Sequence, residues 1–147
     1  MKLLKLNALD RKDLDVISAH LQDAVIKIGD MRYLEKDQQF VMVVNRFDWQ
    51  DALTSKKRKK TYIRRRAGLQ FAHVRSVRQS RLMQANRQAV VDLLAIEFTP
   101  DETPSGTITL VFAGGGAVKL EVECIEARLS DLGPAWETSN LPDHETQ

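Results

Sequence analysis

Cysteine is almost absent from this 147-residue chain, where Cys124 stands alone. One thiol excludes an internal disulfide framework and a multi-cysteine zinc site. Histidine is scarce as well. His20, His73 and His144 show no ligand spacing such as His-x-x-x-His, so no metal ligand set and no catalytic pair is read from them. No long uncharged apolar run occurs, and no integral membrane span is expected. The N-terminus reaches Asp10-Arg11-Lys12-Asp13 too soon for a signal-peptide apolar region, so a cytoplasmic location is expected.

The most informative absence is of one charge sign. From Ala52 to Val91 there is no Asp or Glu, while the same window holds twelve of the 22 Lys and Arg residues. Ten basic and twenty acidic residues remain elsewhere, so a net charge of +2 hides a basic middle inside an acidic remainder. Lys56, Lys57, Arg58, Lys59 and Lys60 are consecutive, and Arg64, Arg65 and Arg66 follow closely. Five adjacent cations repel and solvate strongly, which predicts an exposed, mobile loop over residues 55–60.

What is present reads as short strands. Ile108, Leu110 and Phe112 alternate with Thr107, Thr109 and Val111; Val118, Leu120, Val122 and Cys124 alternate with Lys119, Glu121 and Glu123. A period of two puts alternate side chains on opposite faces. Gly114-Gly115-Gly116 between the two runs supplies the positive φ that a hairpin turn needs. A glycine triplet also cradles phosphate, but that use needs a helix to follow, and a strand follows here. No cofactor is therefore expected. Cys124 falls on the apolar parity and reads as a core thiol.

Asp10 is a good helix N-cap, and Leu14, Ile17 and Leu21 mark one apolar face, predicting a helix over 11–22 with His20 in its last turn. Residues 3–6 read as a short edge strand or arm. Residues 24–34 read as a strand bent near Gly29, paired with the apolar run Phe40-Val41-Met42-Val43-Val44 across the polar turn Glu35-Lys36-Asp37. Residues 69–77 fit either period and are taken as strand; 80–88 read as loop or short helix. Residues 91–99 read as a strand with Leu94, Ile96 and Phe98 on one face. Residues 125–132 read as a helical turn stopped by Gly133-Pro134.

Asn45-Arg46-Phe47-Asp48-Trp49, Leu69-Gln70-Phe71, Leu93–Phe98 and Phe112-Ala113-Gly114-Gly115 together resemble an alphaproteobacterial family of unknown function, the domain-of-unknown-function family numbered 2948. Gln50 stands where that pattern carries an acidic residue. The resemblance implies a bacterial cytoplasmic protein and assigns no activity, so no site residue follows from it.

The expected fold is α+β: a mostly antiparallel curved sheet or partly open β-barrel of about seven strands with an N-terminal helix. Residues 1–136 form the single domain and 137–147 a polar tail. The expected function is a non-catalytic binding or adaptor module. Its anion-binding segment comprises Lys56, Lys57, Arg58, Lys59, Lys60, Tyr62, Arg64, Arg65 and Arg66, and its partner is nucleic acid or an acidic protein. Trp49, Tyr62 and Phe71 lie near it as aromatics able to stack on unpaired bases. The bland readings are neutralisation of the basic segment within the fold and simple solvation. The rival functional readings are attraction to a membrane surface, a homodimer joined by opposite charges, and a small enzyme with a spatially assembled site.

Overall fold

The computed structural model describes residues 3–54, 62–82 and 86–138. In chain order these form β1 (Lys5–Ala8), α1 (Arg11–His20), β2 (Ala24–Lys27), β3 (Met31–Leu34), β4 (Gln39–Phe47), α2 (Trp49–Thr54), β5 (Tyr62–Phe71), β6 (Val74–Ser80), β7 (Val90–Pro100), β8 (Gly106–Phe112), β9 (Ala117–Val122) and β10 (Ala127–Thr138). The ten strands make one antiparallel sheet in the order β1-β10-β5-β4-β2-β7-β8-β9-β6, with β3 also paired to β4. Ten replaces the expected seven. The additional strands arise because residues 24–34 divide into β2 and β3, residues 69–77 divide between β5 and β6, and residues 127–138 form β10.

The sheet curves strongly but does not close. β5 and β6 are joined by Ala72 and His73 alone, yet stand six places apart in the sheet. Six strand spacings of about 4.8 Å make roughly 29 Å. A two-residue link reaches about 10 Å. The far edge must therefore return toward the middle. Two bonds record that return: the Val74 N–H donates to the Gln38 carbonyl at 2.8 Å, and the Tyr33 hydroxyl donates to the Val74 carbonyl at 2.8 Å. The concave side is one continuous core holding Phe40, Met42 and Val44 of β4, Leu69 and Phe71 of β5, and Ile108, Leu110 and Phe112 of β8.

The β8–β9 hairpin forms as its alternation predicts, with Ile108 opposite Leu120 and Leu110 opposite Val118, all four fully buried. Gly114 and Gly115 turn it at φ of 87° and 91°, where a side chain strains the backbone. Helix α1 also forms as expected. The Asp10 carboxylate accepts from the Asp13 N–H at 2.8 Å, and Leu14 and Ile17 are buried. Ser18 on α1 accepts the Ile96 N–H at 2.9 Å, tying the helix to β7.

Three expectations are corrected. Residues 125–132 do not make a helical turn; from Ala127 they are β10, which pairs with β1 and β5. Gly133, with φ of 109°, lies in an irregularity between Asp131 and Ala135 and does not stop a helix. On β7 a register shift between Leu93 and Ala95 breaks the face expected through Leu94, so Leu93 and Ile96 are the buried pair. Cys124 lies past the end of β9 and is half-buried, lining an apolar pocket of 280 Å³ with Phe98, Pro104 and Ile125. The ambiguous run 69–77 splits into the end of β5 and the start of β6, with His73 turning the chain at φ of 59°. Strand β10 runs to Thr138, and residues 139–147 of the expected tail lie outside the described residues.

Candidate functional site

β5 sorts the arginine run by parity. Arg65, Ala67, Leu69 and Phe71 point to the core side, whereas Tyr62, Arg64, Arg66, Gly68 and Gln70 point outward. Arg65 is buried, and its Nε donates to Asp48 Oδ2 at 2.6 Å. Arg46, directly opposite on β4, donates from Nε and Nη2 to the two oxygens of Asp131 at 2.9 and 3.0 Å. Asp131 also accepts the Leu4 N–H, and Asp48 also caps α2 by accepting the Asp51 N–H at 2.9 Å. The result is a buried two-arginine, two-aspartate cluster at the end of the core. Periodicity carried its signal: Arg46, Arg65 and Asp131 each continue an apolar parity along their strand.

Burial pushes the Asp48 carboxyl up, but the Asp51 N–H, the Arg65 hydrogen bond and the charges of Arg46 and Arg65 outweigh it, holding it below the usual range. Asp131 behaves alike: burial raises it, and Arg46 and the Leu4 N–H bring it below the usual range. His20, at the end of α1, is pushed down by burial and by the Arg46 charge. The cluster is internally balanced, and its charges are held by one another rather than presented to a partner.

The expected anion-binding segment is therefore divided. Lys56, Lys57, Arg58, Lys59 and Lys60 lie outside the described residues. Tyr62 packs against Phe47 with ring centroids 5.6 Å apart. Arg64 lies over the Phe47 ring at 5.6 Å and donates to the carbonyls of Asp23 and Asn45 at 3.0 and 3.3 Å. Arg66 is exposed. Among the aromatics, Phe71 is fully buried and is not available for stacking. Trp49 stacks edge-on against Phe47 at 4.5 Å and donates its indole N–H to the Gln22 carbonyl at 2.9 Å. Trp136, opposite Arg64 on β10, is 41% exposed.

Strand pairing gives Arg66 companions that are remote in sequence. One row across the outer face runs Asn7, Arg128, Gln70, Val41, Arg32; the next runs Lys5, Ser130, Gly68, Val43. Lys5, Arg32, Arg66 and Arg128 are all exposed, and none of them is in an ion pair among the described residues. The opposite edge differs. Arg75 pairs with Glu123 at 3.4 Å, and Arg78 with Glu121 at 3.0 Å, so on β6 the expected internal neutralisation does occur. Among the described residues, Asp30 and Glu126 are the carboxylates that line cavities on this face, and Glu126 lies 3.4 Å from His73.

Two adjoining concavities mark this face. A polar cleft of about 430 Å³ is lined by Asn7, Gln39, Gln70, Glu126 and Arg128. An apolar groove of about 330 Å³ shares Gln70 and Arg128 with it and is walled by Val41, Val43, Gly68 and Leu132. Among the described residues no three His, Cys, Asp or Glu side chains gather as a metal site, and no helix is long and apolar enough to cross a membrane.

Fold and face together define a small antiparallel sheet module whose outer face carries four exposed cations that are in no ion pair among the described residues. The chain belongs to the family described as Protein of unknown function (DUF2948), whose model matches residues 4–144. No curated protein and no solved structure matches it.

Proposed function

We propose that the protein is a non-catalytic, cytoplasmic binding module that holds an anionic partner through its Lys56–Lys60 segment and the outer sheet face that follows it. The carrying observation is the contrast between two groups of cations. Those of the core and of β6 each have a carboxylate partner, whereas Lys5, Arg32, Arg66 and Arg128 have none among the described residues. Unpaired cations on one face attract polyanions and release their counterions on binding. Arg64 and Arg65 serve this reading as anchors, fixing the start of β5 from which Arg66 reaches the outer face. Fluorescence anisotropy with a labelled oligonucleotide across a salt series tests it. Replacing Lys56, Lys57, Arg58, Lys59 and Lys60 by Gln abolishes binding while the melting temperature holds. Equal binding by that variant contradicts the proposal.

A further inference from the structure

The outer trough has a floor as well as a charged rim. Gly68 sits in mid-strand where a side chain would normally stand, and a Cβ built there meets only Leu132 Cδ2, at 3.7 Å. Its φ is ordinary, so neither turn geometry nor crowding requires glycine at this position. Glycine inside a strand weakens it and often marks a place where something approaches the backbone closely. Here it opens the apolar groove between Val43 on β4 and Ser130 on β10. Arg66 stands two residues to one side, and Gln70, paired with Arg128, two residues to the other. The cations thus bracket the groove over about 13 Å along the strand.

Resting on the binding reading above, we infer that this trough takes single-stranded nucleic acid. A base lies in the groove over Gly68, and the flanking phosphates meet Arg66 and Arg128. An apolar floor between cations matches a ligand that alternates flat apolar surface with negative charge. A duplex hides its base faces in the stack and offers phosphates and base edges, which leaves the floor unfilled. The adjoining cleft brings Asn7, Gln39 and Gln70, whose amides both donate and accept and so suit the edges of unpaired bases. Half-exposed Leu132 and Trp136 add apolar surface along β10.

The test uses the full chain with fluorescein-labelled oligothymidylate, its duplex with oligoadenylate, and polyglutamate as competitor. The single strand is expected to bind about tenfold more tightly than the duplex. Gly68→Val fills the groove, and is expected to lose about tenfold for the single strand, to leave the duplex unchanged and to melt no lower than wild type. Arg128→Gln, at an exposed position, gives a second variant with the same expected direction should Gly68→Val fail to fold. Unchanged single-strand affinity in Gly68→Val, or equal affinity for duplex, overturns the groove assignment. If binding then still depends on Lys56–Lys60, the anionic-partner reading stands without it. Displacement of the oligonucleotide by polyglutamate, lost in Gly68→Val, overturns nucleic acid in favour of an acidic peptide. No binding of any polyanion at low salt overturns both.

Discussion

Arg46 and Arg65 stand opposite each other on the core side of β4 and β5, two like charges that neither strand would tolerate alone. Asp131 and Asp48 make the arrangement stable by accepting from them in a site with little water. Removing one member leaves the other charge buried without a partner. Arg46→Ala is therefore expected to cost about 3–5 kcal/mol in urea unfolding, while Arg46→Met combined with Asp131→Leu costs much less. Equal losses in the single and double variants would show that Asp131 does not depend on Arg46. His20 adds a pH term. Its folded pKa lies below the ordinary value, so between the two the unfolded chain binds a proton that the fold refuses. Its contribution is present above about pH 6.5 and falls away as the pH drops from there. His20→Gln should flatten the stability profile as the pH falls below about 6.5; a profile identical to wild type would remove His20 from the account.

The β8–β9 hairpin illustrates how an element depends on one backbone position. Gly115→Val forces a branched side chain to φ of 91° and brings its Cβ to about 3.2 Å from Arg81 Nη1. A loss of about 1–2 kcal/mol is expected, measured by thermal melting. The opposite sign at Gly68, another strand-associated glycine, would separate backbone demand from an open surface. This hairpin, α1 and the β3–β4 pairing were legible in the sequence because each depends on neighbours: a period of two, a cap, a polar turn. Strand β10 was not. Its interruption at Leu132–Pro134 imitates a helix stop, and its partners β1 and β5 lie more than fifty residues away in the chain. The candidate site divides the same way. The lysine run is visible as composition, whereas Lys5, Arg32 and Arg128 become neighbours of Gly68 only through cross-strand register.

At the scale of the whole molecule, the curved sheet separates a balanced charge cluster inside from the exposed cations Lys5, Arg32, Arg66 and Arg128 on its outer face, which are in no ion pair among the described residues. Each should answer to a different variable. Asp48 and Asp131 have folded pKa values below their ordinary ones, so their stabilisation is complete above about pH 4 and is lost as the pH falls through the folded values. Acid unfolding should therefore steepen below about pH 4, and Asp131→Asn should remove part of that steepness at the expense of stability at neutral pH. An unaltered acid limb in Asp131→Asn would contradict the cluster's role. The outer cations should instead answer to salt. The most direct measurement is the slope of log binding constant against log salt for oligothymidylate, in wild type and in a variant carrying Lys5→Gln, Arg66→Gln and Arg128→Gln. If these three side chains meet phosphates, the slope becomes shallower by about 2 in the variant, with melting unchanged. An identical slope in the two proteins would show that the outer face does not meet the phosphates and would contradict the account.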